Sequence, residues 1–384
     1  MADILVLGGG FGGVATVHEL LARLGDGHRI TLVDRSDDFY MGFAKLWDLA
    51  GTRRLADGTR QLSSLAERGV DVRIADILAI DAANRRVETS VGTLTADALV
   101  IALGAGPASA HRQMLAADNA FDLYDGAELP GIRAALDEIT TGRVVVSILG
   151  GPHKCPPAPY EASLIVDRLL RERGVRDDVE VVTTTPAPMT LPVAGPDASH
   201  WIAQHLDGTG VRLLAGHAVS GVDTTAGEIV FANGERLAHD VLLGVPANVA
   251  PEVVVASGLV GESGRIEPDR HTFETGHDGV WAIGDCTMIP TAAGQLPMAG
   301  VFAAAAGTVV ATRIAASLGS GEPETFDGHG FCFLELPDEQ VAFVEGNFYA
   351  DPMEVALSDA THAQFERKQA YERERLDAWF PPVG

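Results

Sequence analysis

The chain is poor in cysteine and in basic residues. Three cysteines among 384 residues are too few for the disulfide framework of a secreted domain, so any disulfide in this chain is expected to be catalytic. Lys and Arg number 28 against 53 Asp and Glu, a formal net charge of −25. This charge repels nucleic acid and anionic membrane surfaces, which argues against both as partners. Attraction of a basic redox partner and simple solubility explain the charge equally well.

Long hydrophobic runs and targeting signals are also scarce. The longest apolar stretch, residues 299–312, is shorter than the roughly 18 residues of a membrane-spanning helix, and Arg313 follows it. The sequence begins directly with the strand-like "DILVL" and has no charged region, apolar core or cleavage site of a signal peptide. We therefore expect no transmembrane segment and a cytoplasmic location. The length and the 43 glycines favour two or three α/β domains with tight turns.

A glycine motif follows the first strand. "DILVLGGGFGGVATVHELLARLG" predicts a strand, a Gly-x-Gly-x-x-Gly turn and a helix with a regular apolar face. Such a turn offers backbone N–H groups and the positive end of a helix to a pyrophosphate. The next strand, "RITLVD", ends in an acid that can accept hydrogen bonds from ribose hydroxyls. A chance glycine turn is disfavoured because all four features are in register. The predicted cofactor ligands here are Gly8, Gly10, Phe11, Gly12, Gly13, Asp34 and Arg35.

Two further segments identify the dinucleotide. In "GVWAIGDCTMIP", residues 279–290, an apolar strand delivers Gly284 and Asp285, which resembles the second FAD fingerprint of flavoproteins with two dinucleotide-binding domains. In that group the Asp holds the ribityl chain; a simple strand-end cap is the alternative for Asp285. "DALVIALGAGP", with Gly104, resembles the strand before the crossover to the second domain. These segments predict FAD as the cofactor, and Cys286 is interpreted as a small buried residue beside it.

A second βαβ unit is predicted from a strand at 143–149, a helix at 159–173 and a strand at 178–184. Its turn reads "GGPHKCPPAPYE", and its prolines have no N–H group to donate to a phosphate. The following strand ends in Thr183–Thr185, with neither the acid typical of an NAD site nor the arginine typical of an NADP site. Both features argue against nicotinamide binding.

Cys155 is the reactive group that this turn offers. It lies near a helix start beside His153 and Lys154, and a helix dipole with nearby cations favours a thiolate. Glu161, in the first turn of the helix, is a candidate proton acceptor. The alternative is an inert core cysteine and a first-turn acid stabilised by the dipole.

"KCPPAPYE" closely resembles the cysteine loop of the sulfide:quinone oxidoreductase and flavocytochrome c sulfide dehydrogenase family. The likeness extends through the glycine motif, "IGDC", residues 296–314 and residues 330–349, which is nearly the whole chain. The resemblance implies that Cys155 and Cys332 form a disulfide or polysulfide bridge beside the flavin. It also implies that sulfide attacks this bridge and that electrons pass through FAD to a quinone or a cytochrome. Glu161 matches the acid suggested as a base.

The sequence departs from that family at several positions. Residues 101–150 lack the third cysteine of the quinone-linked enzymes, and residues 37–51 lack the cysteine that would bind flavin covalently, so FAD is predicted to be noncovalent. Met298 replaces the lysine of the family's "LPKAG". These departures leave the electron acceptor open.

The C-terminal part is predicted to hold two strands within residues 330–349 and a helix within residues 360–382. Residues 366–377 lack a basic or wide apolar face, so the aromatic residues of this tail are expected to pack against the body or a second subunit in a homodimer. Peripheral contact with the inner face of a membrane is the alternative. The spacing of the histidines, such as His200 and His205, gives no metal site.

The overall prediction is an α/β protein with two Rossmann-like dinucleotide-binding domains and a small C-terminal α+β segment. We expect residues 1–110 and 239–324 to form the FAD-binding domain, 111–238 the second domain and 325–384 a hairpin and helix. The leading hypothesis is oxidation of sulfide or a related small sulfur compound. The alternatives are a type II-like NAD(P)H dehydrogenase and a redox-sensing flavoprotein that does not turn over sulfide.

Overall fold

A computed structural model describes residues 1–382. Two five-stranded parallel sheets form its centre, as the predicted fold class requires. In spatial order, the strands of the first sheet are Val280–Ala282, Ala98–Ile101, Asp3–Leu7, Arg29–Asp34 and Asp71–Ile74. Those of the second sheet are Ala120–Asp122, Val241–Val245, Gly142–Ile148, Val179–Thr185 and Arg212–Ala215. Most of these strands are buried along their length, as is typical of a parallel sheet covered on both faces.

The second sheet is inserted between two parts of the chain that contribute strands to the first sheet. The chain leaves the first sheet after Ile101 and returns to it at Val280. The predicted boundary at residue 238 is too early, because strand Val241–Val245 pairs in parallel with Ala120–Asp122 and with the strand that begins at Gly142. An all-apolar run such as "VLLGV" fits the centre of either sheet, so periodicity alone cannot assign it.

Smaller sheets and helices cover the two parallel sheets. Three antiparallel sheets of three strands comprise Ile77–Asp81, Arg86–Thr89 and Gly92–Thr95; Val219–Asp223, Glu228–Phe231 and Arg236–Ala238; and His329–Leu336, Gln340–Asn347 and Glu354–Leu357. We call the last of these the C-terminal sheet. The α-helices are Phe11–Leu24, Ala44–Leu49, Ser109–Met114, Leu129–Glu138, Ala158–Glu172, Gly195–Thr209, Glu252–Ala256, Gly300–Ser317 and His362–Trp379.

One of these helices, Gly300–Ser317, is long and apolar enough to cross a membrane by length and composition. In this structure it packs against helix Phe11–Leu24. Gly307 makes the close approach possible, because a Cβ atom there would lie 2.5 Å from the carbonyl oxygen of Gly12. More than half of the helix is buried within the protein.

The C-terminal segment contains one strand more than predicted. Besides the predicted hairpin, Glu354–Leu357 pairs with Gln340–Asn347. The predicted helix extends over His362–Trp379 and lies against the C-terminal sheet. Phe365, Leu376 and Trp379 of this helix and Phe380 after it are buried as expected, whereas Tyr371 is half-buried.

Candidate functional site

A cavity of about 270 Å³ opens between the glycine motif, the cysteine loop and the C-terminal sheet. It brings together most of the residues that the sequence singled out: Gly10, Phe11, Gly12, Gly104, Cys155, Glu161, Gly284, Asp285 and Cys332 all line it. Gly8, Gly13, Asp34 and Arg35 do not line it. One continuous cavity therefore joins the predicted cofactor loop to both predicted catalytic cysteines.

The glycine motif has the geometry of a phosphate-binding turn. Gly8 has a φ of +101°, and a Cβ atom there would lie 2.3 Å from the carbonyl oxygen of Ala102. At Gly13 a Cβ atom would lie 1.8 Å from the carbonyl oxygen of Gly8. Beside Gly10, which precedes helix Phe11–Leu24, no atom comes within 4 Å of a Cβ position. The turn is thus closed by backbone packing on one side and open at the helix N-terminus.

Asp34 supports this turn from the end of the neighbouring strand. Its carboxylate accepts a hydrogen bond of 2.6 Å from the N–H of Gly9 and one of 2.9 Å from the N–H of Ser36. Arg35 is exposed beside it. The predicted contacts of Asp34 and Arg35 with the cofactor remain predictions.

Gly284 and Asp285 follow strand Val280–Ala282 in a short helical turn. Burial raises the pKa of Asp285, while Lys154 and Arg265 oppose the shift. Cys286 does not line the cavity and is fully buried, and its thiol lies 3.3 Å from the carbonyl oxygen of Ile283. The interpretation of Cys286 as a small buried residue is confirmed.

The backbone of the cysteine loop is tightly held. Cys155 has a φ of +43°, a left-handed conformation that a residue with a side chain adopts only when its surroundings require it. Its N–H donates to the carbonyl oxygen of Met298 at 2.8 Å, and its carbonyl oxygen accepts from the hydroxyl of Tyr124 at 3.0 Å. Met298, which stands at the family lysine position, therefore packs directly behind the loop.

The expected stabilisation of a Cys155 thiolate by His153 and Lys154 is wrong, although the N–H of Ala158 at the helix start does favour the thiolate. Burial and then Glu161 raise the pKa of Cys155 to about 12. His153 cannot help, because burial lowers its pKa and it lies against the hydroxyl of Tyr124. The amino group of Lys154 instead donates to the carbonyl oxygen of Ala105. Two lysines distant in sequence, Lys368 and Lys45, favour the Cys155 thiolate.

Cys332 and Glu161 face the same part of the cavity. Cys332 lies on strand His329–Leu336 of the C-terminal sheet, and burial, Cys155 and Glu161 all raise its pKa. Glu161 accepts a hydrogen bond of 2.6 Å from the N–H of Glu335. Burial raises the pKa of Glu161 to about 7, although Lys368 opposes the shift. A carboxyl group with this pKa can take up or release a proton near neutral pH.

A buried ion pair connects this group to the C-terminal helix. Lys368 is 1% exposed and donates to the carboxylate of Glu335, which also accepts from the indole N–H of Trp47 at 3.0 Å. Burial alone would lower the pKa of Lys368, but Glu335 and Glu161 outweigh it and raise that pKa. The lysine charge is thus neutralised by a dedicated carboxylate.

Sequence reasoning named Lys154 beside Cys155 but missed the other two lysines of this cavity, Lys45 and Lys368. The chain has three lysines, at 45, 154 and 368, and all other residues of its 28 basic positions are Arg. All three lysines line the cavity. Their scarcity was the signal that could have indicated them. The aromatic residues of the cavity wall, also missed, are Phe43, Tyr124, Phe331, Phe333 and Tyr371.

The residues present fit FAD. The open helix N-terminus at Gly10 suits a pyrophosphate, and Asp285 stands farther along the same cavity, where a carboxylate can hold polyol hydroxyls. The cavity then continues to Cys155 and Cys332. Among residues 1–382, no cluster of three His, Cys, Asp or Glu side chains could hold a metal ion. Fold and cavity together define an FAD-dependent oxidoreductase with two Rossmann-like domains.

The chain belongs to the pyridine nucleotide-disulphide oxidoreductase family, which matches residues 2–307. It is 24% identical over 375 residues to the mitochondrial sulfide:quinone oxidoreductase of Mus musculus, covering 92% of this chain and 79% of that protein. It is 24% identical over 314 residues to the type II NADH:quinone oxidoreductase of Staphylococcus epidermidis, covering 77% of each. The sulfide:quinone oxidoreductase structure from Aquifex aeolicus superposes with a TM-score of 0.86 at 21% identity, covering 98% of this chain and 91% of that one.

Proposed function

We propose that this flavoenzyme oxidises sulfide or a related small sulfur compound through Cys155 and Cys332. The observation that carries the proposal is the shared cavity: both thiols and Glu161 line the space that begins at the glycine motif. The name of the Mus musculus relative points to the same substrate.

The chemistry assigned to the chain is a thiol–disulfide exchange. A hydrosulfide ion attacks one sulfur of a Cys155–Cys332 disulfide, so a bond forms to the incoming sulfur while the bond between the cysteines breaks. One cysteine then carries a persulfide and the other leaves as a thiolate. Glu161, with its pKa of about 7, accepts the proton of the incoming sulfide. When bound, FAD would accept the two electrons that are released as this thiolate and the persulfide join in a longer sulfur bridge.

The experiment that tests this function is anaerobic reduction of the purified yellow protein by sulfide. Flavin absorbance should bleach in the wild type. Cys155→Ser and Cys332→Ser should retain FAD and lose at least about a hundredfold in reduction rate, because each lacks one of the two cysteines that the proposed exchange requires. Cys286→Ser is the matched control and should bleach normally, since Cys286 lies outside the cavity lining. Unchanged bleaching in both catalytic variants would contradict the function.

An NADH dehydrogenase is the second candidate, because other relatives carry that name. The loop that would hold the nicotinamide nucleotide speaks against it: the N–H groups of Lys154 and Cys155 already donate to Asn248 and Met298. Pro156 and Pro157 have no N–H group. Replacing sulfide by NADH or NADPH in the same assay separates the candidates, and rapid bleaching by a nicotinamide would favour the second.

We further propose a quinone as electron acceptor, with a cytochrome as the alternative. All three similar proteins reported above are named quinone oxidoreductases, and aromatic side chains at Phe331, Phe333 and Tyr371 line the cavity. The charge of −25 favours a basic cytochrome instead. Reoxidation of the reduced flavin by a short-chain quinone or by cytochrome c distinguishes them. If a quinone is the acceptor, we also propose that the protein is cytoplasmic and contacts the membrane peripherally.

A further inference from the structure

Lys45, which is partly buried, differs from the buried Lys368 of the same cavity. Lys368 has a dedicated carboxylate in Glu335, whereas Lys45 forms no ion pair within residues 1–382. Its ammonium group has three donors, of which one goes to the carbonyl oxygen of Tyr124 at 2.6 Å. The rings of Tyr124 and Tyr40 lie 5.7 and 5.9 Å from its nitrogen. A partly desolvated cation in a cleft, without a counter-ion, is a candidate for a functional position.

Five causes shift the pKa of Lys45: burial and four neighbouring charged groups. Burial and then Lys154 lower its pKa to about 8, while Cys155, Asp122 and Asp125 oppose the shift. Asp122 and Asp125 stand farther than ion-pair distance, and Lys154 also acts on Asp285. An anion entering the cavity would therefore meet a cation that is not yet neutralised.

We propose that Lys45 forms an anion-binding subsite beside Cys155, which receives the sulfur substrate in its negatively charged form. Small sulfur anions such as hydrosulfide and inorganic polysulfide have the required charge. The identity of the ligand rests on the proposed function. The position of Lys45 in the cavity does not depend on the substrate. Lys154 supports the subsite from the cysteine loop.

The test compares two alkylating reagents, iodoacetate and iodoacetamide, on holoenzyme carrying Cys332→Ser, so that Cys155 stays a free thiol. Both reagents react with the thiolate, so the ratio of their rates is independent of the thiol pKa. It reports how strongly the site attracts the negative charge of iodoacetate. Peptide mass analysis confirms that Cys155 is the residue modified.

Lys45→Met should lower the iodoacetate-to-iodoacetamide rate ratio by about three- to tenfold, the effect of one unit charge at a separation of a few ångströms in a partly screened site. Lys45→Arg should keep the ratio near that of the Cys332→Ser background. With Lys45 unchanged, the ratio should fall as pH rises past about 8, because Lys45 then loses its charge. This pH series uses Cys332→Ser combined with Glu161→Gln, since the carboxyl group of Glu161, with its pKa of about 7, would otherwise add a negative charge beside Cys155 in the same range. This last measurement needs no substitution at Lys45 and so does not depend on whether a Lys45 variant folds.

A ratio that is the same in Lys45→Met and constant with pH would overturn the subsite. This outcome is independent of sulfide turnover. If the ratio behaves as expected but sulfide does not bleach the wild-type flavin, the subsite stands and the proposed function fails. If sulfide bleaches the flavin but the ratio is insensitive to Lys45, the function stands and the subsite fails.

Discussion

The turn at residues 8–10 and the turn at residues 149–157 occupy equivalent places in two similar sheets. Each follows the third strand of five parallel strands and leads into a helix. In the first turn, the glycines let backbone segments approach so closely that a Cβ atom would not fit between them. They also leave the helix N-terminus open. In the second, prolines remove donors and neighbouring segments use the donors that remain. The same topology thus provides a phosphate-binding turn in one domain and a cysteine loop fixed by hydrogen bonds in the other.

The difference also extends to charge. The first helix has no acidic residue in its first turn, whereas the second has Glu161 there. A carboxylate beside a helix N-terminus competes with a phosphate for the same positive potential. In the second turn, the positive potential of the helix start therefore acts on Glu161 and Cys155 of the chain itself.

The largest expected effect tests the first turn by adding one methyl group. Gly13→Ala places a Cβ atom 1.8 Å from the backbone oxygen of Gly8, which cannot move without opening the turn. We expect a loss of about 4 kcal/mol or more in the free energy of unfolding and a protein with little bound flavin. In Gly151→Ala, in the second turn, the added Cβ atom has no neighbour within 4 Å, so both the stability and the flavin content should stay at the wild-type level. Flavin-to-protein absorbance ratios and melting temperatures measure the two variants, and equal flavin content would refute the contrast.

Much of this comparison could be predicted from sequence, because apolar runs and Gly or Pro punctuation mark both βαβ units. The second helix begins at Ala158 and its strands span Gly142–Ile148 and Val179–Thr185, within one residue of the predictions. Glu354–Leu357 was missed because an edge strand of four residues, with Ala356 between its two larger apolar side chains, is too short to give a clear alternation.

The electrostatics of the cysteine could not be predicted in this way. His153 and Lys154 are its sequence neighbours, yet the cations that act on its thiol come from helices Ala44–Leu49 and His362–Trp379. Only the tertiary fold determines such contacts, and burial, which dominates the thiol pKa, also depends on the assembled cavity.

The next expected effect tests the second turn through its acid. Because Glu161 raises the pKa of Cys155, Glu161→Gln should increase the alkylation rate of Cys155 by iodoacetamide by about three- to tenfold at mildly alkaline pH. The Gln side chain can still accept the hydrogen bond from the N–H of Glu335. Glu172→Gln, at the exposed far end of the same helix, is the control and should leave the rate unchanged. Both measurements use the Cys332→Ser background; slower alkylation in Glu161→Gln would show instead that the carboxylate activates the thiol.

The smallest expected effect concerns the response of the second turn to acid, since the first turn, residues 8–10, consists of glycines and has no titratable side chain. Burial lowers the pKa of His153 below its usual 6.5, so the unfolded chain binds a proton first as pH falls. Stability that is present above pH 6.5 is therefore lost on acidification toward the folded-state pKa. Replacing the imidazole by an amide in His153→Gln should reduce the drop in melting temperature between about pH 7.5 and about pH 5.5, by roughly 1 kcal/mol or less in unfolding free energy. The exposed His200→Gln should leave the drop unchanged, and an undiminished drop in His153→Gln would mean that other buried histidines, such as His239, carry the acid response.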